Sequence, residues 1–235
     1  SSYNAANQLT AVSGDFSMSL TYDANGSYTG DNQGGAASYD ERGRTSASTA
    51  RLPDDATSQD MTYDGASQVE RTRAGATTFT NSLLGVTSST TGGKTTEYVL
   101  APDGRVLGQV GPDGKSFYYL RDRLGSIIGV TNESGQRVND YWHDPYGGYQ
   151  GGQEPNASAG IPHVPWRYTG EWADGHSVTS STYKIGLRYY DPMLHRWTQP
   201  DPLERITNPA SPAESQPYNY VGCNPTNHTD PTGAY

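Results

Sequence analysis

Tyr3-Asn4, Tyr22-Asp23, Tyr39-Asp40 and Tyr63-Asp64 recur in the first 64 residues, each followed within a few residues by Gly or Asn. The tyrosines stand 19, 17 and 24 residues apart. An interval of that length holds two strands and two turns. The Asp side chain caps the turn and the following Gly takes positive φ. A self-similar unit of this kind dictates a repeat architecture before any single residue is weighed. No segment of the chain sustains helical periodicity, so the units are read as β-hairpins and the chain as all-β.

Composition supports that reading. Only 32% of the 235 residues are hydrophobic, which alone would point to disorder. Eighteen Tyr and four Trp argue against a solvated tail. Tyr favours strands and buries its ring while its hydroxyl stays hydrated. Gly (28) and Pro (15) fit a fold with many turns. The net charge of −9 argues against general binding to nucleic acid or anionic membrane. No stretch has the apolar length of a transmembrane helix. No signal peptide opens the chain, and Ser1-Ser2-Tyr3-Asn4 reads as the middle of a repeat.

Between Phe79 and Glu97 the repeat pattern dissolves into a Ser/Thr/Gly-rich stretch. It returns with two Pro-Asp-Gly hairpin turns, 102–104 and 112–114. Tyr118 to Val130 reads as strand, turn, strand, and Val138 to Trp142 as a further strand closed by Asp144-Pro145-Tyr146-Gly147. The expected organisation is a hairpin array over 1–146, a Gly/Pro/Ser-rich loop over 147–165 and a distinct unit over 166–235. In that last unit Trp166–Glu171 and Tyr183–Pro192 read as strands. Pro202–Asn208 reads as a short turn or helix, and Pro217–Pro225 as the one later segment with helical capacity. Roughly ten two-strand units at about 4.8 Å per strand give a ribbon on the order of 100 Å long. Such a ribbon must twist and coil.

The run from Tyr118 to Gly147, Arg188-Tyr189-Tyr190-Asp191-Pro192, Trp197-Thr198-Gln199-Pro200-Asp201-Pro202 and Asp230-Pro231-Thr232-Gly233 together resemble the core-associated region of RHS/YD-repeat proteins. These form the shells of polymorphic toxins and of toxin-complex C subunits. The resemblance implies a coiled ribbon of tandem β-hairpins, the wall of a shell, ending in an inward C-terminal plug. It implies a secreted or cell-surface bacterial protein that encloses its own C-terminal toxin domain. Its partners would be further N-terminal shell repeats or a companion shell subunit, with no nucleic acid, no membrane insertion and no cofactor. It also implies an intramolecular aspartyl protease that cuts a few residues after the D-P-x-G motif. On motif positions Arg188 and Asp201 are the first candidates and Asp191 the third. Asp230, Pro231, Gly233 and Tyr235 mark the cleavage segment. Two carboxylates held close cannot both ionise easily, so one serves as acid while the other activates water. A guanidinium beside them would stabilise charge on the scissile carbonyl. Two positions depart from the family pattern: Ala234 stands where Leu is common, and His195-Arg196 replaces Gly-Arg.

Rival readings accompany each candidate. Asp-Pro is a common turn dipeptide and needs no catalysis. The repeat tyrosines Tyr22, Tyr39 and Tyr63 would serve a glycan platform in an adhesion or wall-associated module. Alternatively they stack along one face and hold neighbouring hairpins together, and their regular placement favours stacking. A third reading is an inert scaffold with a degenerate plug. The five histidines show no metal-ligand spacing, so no metal site is expected. The lone Cys223 reads as a small buried thiol.

Overall fold

A computed structural model describes residues 1–14, 17–49, 58–152, 156, 160–174, 182–203 and 216–234. Sixteen strands form one antiparallel meander in strict chain order. They are β1 (Ser2–Tyr3), β2 (Leu9–Val12), β3 (Met18–Tyr22), β4 (Tyr28–Asp31), β5 (Ala36–Tyr39), β6 (Thr45–Thr49), β7 (Gln59–Tyr63) and β8 (Arg71–Ala74). The series continues with β9 (Thr77–Ser82), β10 (Gly85–Thr91), β11 (Lys94–Leu100), β12 (Val106–Val110), β13 (Ser116–Arg121), β14 (Ile127–Asn132), β15 (Arg137–His143) and β16 (Tyr149–Gly152). A second sheet holds β17 (Trp172–Asp174), β18 (Thr182–Ile185), β19 (Arg188–Asp191) and β20 (Arg196–Trp197). Among the described residues no helix is long and apolar enough to cross a membrane.

One turn is reused along the ribbon. At Asp23 the Gly26 amide donates to the Asp23 carbonyl. The Asp23 Oδ1 accepts from the amides of Asn25 and Ser27 at 2.9 and 2.8 Å. The same bonds recur at Asn4, Asp31, Asp40, Asp122, Asn132 and Asp144. The residue three places on has positive φ, +86° at Gly26 and +73° at Gly43, and Asn7 fills the slot at +59°. Each such turn adds a residue to one strand, and the registers shift at Thr21/Tyr22, Ser38/Tyr39 and Leu120/Arg121. The unit that begins at Tyr63 departs from this form. Its Asp64 amide bonds to the carbonyl of Glu70, which opens a wider loop.

The repeat tyrosines act through their hydroxyls. Tyr22, Tyr39 and Tyr63 donate to the carbonyls of Leu9, Tyr28 and Thr45 at 2.9, 2.8 and 2.8 Å. Each acceptor lies five residues after the Asn or Asp of the preceding unit. Neighbouring hairpins are therefore joined by a hydroxyl-to-backbone rung. Ring stacking in a continuous file does not occur: Tyr22 meets Tyr28 edge-on at 6.4 Å.

Several local expectations are corrected. The Thr-rich stretch does not interrupt the ribbon, because β9, β10 and β11 continue it. A two-glycine turn at Gly92-Gly93 joins β10 to β11. Cross-strand hydroxyl pairs such as Thr77–Thr91 at 2.7 Å and Thr90–Thr95 at 2.8 Å bridge adjacent strands. Threonine is a strand former on a solvated face as well as a loop residue. Strand β16 lies inside the expected loop. Residues 166–171 are not a strand: they make one bridge and a 3-10 turn at Tyr168–Gly170, where Thr169 and Gly170 take positive φ. The helical candidate near 217–225 reduces to a 3-10 turn at Val221–Cys223. Cys223 is exposed, not buried. Of the expected turn at Pro202–Asn208, residues 204–208 lie outside the described residues.

The ribbon is one sheet thick, and its apolar side chains alternate to one face. On β13, Phe117 and Tyr119 are buried while Tyr118 and Leu120 are exposed. That face is covered by the C-terminal segment. Tyr98, Phe117, Ile127, Val130 and Tyr141 pack with Val164 and Trp166. Met61 and Phe79 pack with Tyr189, and Leu9, Met18 and Leu20 with Leu194. A buried ion pair, Arg71–Asp174, ties β8 to β17.

If the hydroxyl rungs hold the hairpins together, Tyr63→Phe will lower the unfolding free energy in urea by about 1–2 kcal/mol. Phe keeps the ring, so an unchanged midpoint would show that ring packing alone does the work.

Candidate functional site

Strand β19 is buried along its whole length. Alternate residues of a strand face opposite sides, so Arg188 and Asp191, three apart, diverge. Asp191 lies at the turn that follows, where its Oδ1 accepts from the amides of Met193 and Leu194 at 2.9 and 3.2 Å. His195 takes positive φ in that turn, +56°, which accounts for Gly being the residue it replaces. Arg188 points the other way, toward the C-terminal segment.

Arg188 gathers four groups. Its Nη2 lies 3.3 Å from Asp201 Oδ2 and 3.5 Å from Asp230 Oδ2. Its Nη1 donates to the Pro217 carbonyl at 3.2 Å and its Nε to the Gly233 carbonyl at 2.6 Å. The guanidinium lies over the Trp197 ring, 4.1 Å from its centre. The side chains of Arg188, Asp201 and Asp230 are 2%, 7% and 1% exposed. The pair brought together is therefore Asp201 and Asp230, both on one nitrogen. Asp230 is part of the charged cluster as well as of the candidate cleavage segment.

Turn chemistry explains how these carboxylates are aimed. Asp201 Oδ1 accepts from the Leu203 amide at 2.9 Å. Asp230 Oδ1 accepts from Thr232 Oγ1 at 3.0 Å and from the Ala234 amide at 3.2 Å. The Gly233 amide donates to the Asp230 carbonyl at 3.3 Å, so Asp230–Ala234 repeats the turn of the ribbon. All four Asp-Pro dipeptides, at Asp144, Asp191, Asp201 and Asp230, cap turns with Oδ1, as expected of a common turn dipeptide. Asp201 and Asp230 also present Oδ2 to Arg188.

Backbone contact holds the terminal segment in place. The Leu187 amide donates to the Thr232 carbonyl at 2.8 Å. A Cβ on Gly186 would lie 2.0 Å from the Thr232 carbonyl oxygen, and one on Gly233 would lie 2.4 Å from that of Ile185. Only glycine admits this approach at both places. Pro231 is exposed, and Tyr235 lies outside the described residues.

Behind the segment is a cavity of about 510 Å³, lined by Trp166, Glu171, Trp172, Lys184, Thr229 and Pro231 among others. Burial pushes the Glu171 carboxyl up to about 8; Asp230 adds to the rise, and Lys184 and Arg121 oppose it. Burial, with Arg71, brings the Lys184 amine down to about 7, against the pull of Glu171 and Asp174. The Lys184 Nζ donates to the Gly186 carbonyl, at the turn that carries the segment. Among the described residues no group of His, Cys, Asp or Glu is placed to hold a metal ion.

Trp197 stands in the quoted motif, but its place under the Arg188 guanidinium was not read from the sequence, nor was the pairing of Asp201 with Asp230. Sequence reasoning also missed two buried amides beside the site, Gln68 and Gln199, 3% and 7% exposed. The D-P-x-G motif was the available signal for Asp230. Gln199 stands inside the motif around Asp201, whereas Gln68 leaves no trace in any local pattern.

No family model matches the chain. It is 25% identical over 240 residues to the tRNA3(Ser)-specific nuclease WapA of Bacillus spizizenii, covering 99% of this chain and 10% of that protein. It is 32% identical over 142 residues to salivary gland surface protein 1 of Aedes aegypti, covering 59% of this chain and 4% of that one. The fold matches a chain of the Photorhabdus luminescens Tc holotoxin pore carrying mutated TccC3, with a TM-score of 0.55 and 18% identity. That match covers 98% of this chain and 10% of the other. The chain thus spans about a tenth or less of the length of the curated relatives it matches.

Glu171 binds its proton more tightly folded than unfolded, between its ordinary 4.5 and about 8. Folding stability therefore falls as pH rises through that window. Lys184 stays protonated in both states below about 7. Between pH 5 and 7 the melting temperature of Glu171→Gln is expected to gain steadily on the parent's, and parallel curves would exclude the raised carboxyl.

Proposed function

We propose that this chain is a wall-and-plug segment of an RHS/YD-repeat shell, whose plug cuts the polypeptide just beyond Asp230–Gly233 and frees an enclosed C-terminal toxin. The likeness to WapA over nearly the whole chain supports membership of the RHS family. The shared all-β fold of the TccC3-bearing complexes supports a shell role. On this reading the protein is secreted or cell-surface and bacterial. It works with further shell repeats or a companion shell subunit.

The observation that carries the protease reading is the placement of Asp201 and Asp230 on one buried arginine whose Nε holds the Gly233 carbonyl. Two carboxylates lie against one guanidinium, within reach of the same backbone carbonyl. In the proposed hydrolysis the ionised carboxylate takes a proton from water. The water oxygen bonds to the scissile carbonyl carbon, and Arg188 stabilises the negative charge on its oxygen. The other carboxyl serves as the acid and gives a proton to the leaving amine as the C–N bond breaks. The substrate is the chain itself, held by Leu187 and by the two close glycines, so the reaction is intramolecular and single-turnover.

The glycan-platform reading draws less support. The hydroxyls of Tyr22, Tyr39 and Tyr63 are engaged with backbone carbonyls inside the ribbon. Asp191 is proposed as a turn residue.

Expressed from its full native reading frame, the protein is expected to appear as two fragments. The new C-terminus should lie at or a few residues after Gly233 by intact-mass spectrometry. Asp201→Asn should leave it uncut or slow the cut by at least about 100-fold. Cleavage of Asp201→Asn at the parent rate would end the protease assignment.

A further inference from the structure

The charged cluster does not stand on the second sheet alone. Three successive units of the ribbon reach it. From the first, the Gly26 carbonyl accepts the Tyr218 hydroxyl at 2.7 Å, and the Tyr28 amide donates to the Thr198 carbonyl at 2.8 Å. Pro217, next to Tyr218, supplies the carbonyl that binds both Arg188 Nη1 and the Asp201 amide. From the second, the Gly43 carbonyl accepts Gln199 Nε2 at 2.7 Å. The third contributes a side chain, Gln68, from the widened loop between Asp64 and Glu70.

Gln68 has its amide committed at both ends. Its Oε1 accepts from the Thr45 amide at 2.9 Å. Its Nε2 donates to Gln199 Oε1 at 2.8 Å and to the Leu187 carbonyl. The Leu187 carbonyl belongs to the peptide that carries Arg188. The Leu187 amide, on the preceding peptide, holds the Thr232 carbonyl. Gln199 stands two residues before Asp201. One ribbon side chain thus touches both flanks of the cluster: the Leu187 backbone beside the strand that supplies the arginine, and the Gln199 side chain in the segment that supplies a carboxylate.

We propose that Gln68 is a positioning residue for the self-cleavage described above. The catalytic groups reach their working geometry only when the third hairpin unit is docked on the C-terminal sheet. The inference rests on the protease reading. It makes processing conditional on a wound wall: a chain whose ribbon has not yet folded over β19 keeps its Arg188, Asp201 and Asp230 but not their register. Displacement of reacting groups by about 1 Å is enough to cost on the order of 100-fold in rate.

The experiment is the single-turnover cleavage rate of Gln68→Glu against the parent across pH 5 to 9, in the full native reading frame. Neutral Glu has the shape of Gln and an O–H donor in place of the N–H; the carboxylate has no donor at all. Expected is a rate at least about tenfold below the parent at pH 8 to 9, recovering toward it as pH falls and residue 68 regains a proton. A loss of fold stability alone would give a ratio of rates that does not track protonation of that one group. Rates within twofold of the parent at every pH, or a pH-independent ratio, would overturn the proposal. If Gln68→Glu fails to fold, Gln68→Met is compared with Ser89→Ala. The latter removes a buried bond to Tyr98, 2.7 Å long, on a ribbon strand that contributes none of the catalytic groups. Slow cleavage by Gln68→Met alone, at matched melting temperature, supports positioning; equal rates overturn it. Asp201→Asn run in parallel separates the two claims. If it blocks cleavage while Gln68 variants cut normally, only the positioning role falls; if it too is cut, the protease reading itself has failed.

Discussion

A β-ribbon one sheet thick can bury at most one of its faces, and only if something else covers it. That constraint organises this molecule. The meander from Ser2 to Gly152 gathers its apolar residues on a single face, in the alternation of Phe117 and Tyr119 against Tyr118 and Leu120. The C-terminal segment provides the cover, through Val164, Trp166, Tyr189 and Leu194. The ribbon, one sheet thick, has no second layer of its own, whereas the C-terminal part also packs Tyr168, Tyr183, Tyr190, Trp197 and Tyr220 among themselves. Burial of apolar area is the principal source of stability, so ribbon and plug stabilise each other.

The same docking sets the electrostatics. Arg188 and its two carboxylates are almost fully removed from water, which is costly unless each charge finds a partner and its remaining bonds are satisfied. The cluster meets that demand with backbone carbonyls from Pro217 and Gly233 and with the Trp197 ring. Arg71 and Asp174 repeat the solution two strands away, where a ribbon arginine is matched by an acid of the second sheet. Charge pairing across the two parts fixes how they meet, beyond what apolar contact would specify.

Much of the fold was legible in the sequence because the turn is a local object. Asp or Asn, two or three polar residues and Gly determine one set of backbone bonds, and the structure repeats them from Asn4 to Asp144 and again at Asp230. Arg188 and Asp201 were legible through motif spacing. Asp191 stands apart from the Arg188 cluster for a simple reason: three residues along a strand reverse the face. The Thr-rich stretch misled because threonine is common in both loops and strands, and partner strands decide which. Cys223 misled because its place is a tight left-handed turn, +63°, on the surface.

What the sequence alone determined was the hairpin unit, its spacing and the all-β character, since these depend on residues within a few places of one another. What only the tertiary structure decided was which carboxylate meets Asp201 and which ribbon amides flank the cluster. Asp230 is 29 residues from Asp201, and Gln68 is 119 from Leu187 and 131 from Gln199. Contacts over such separations are set by how the ribbon coils onto the second sheet, and no local pattern of residues records that path.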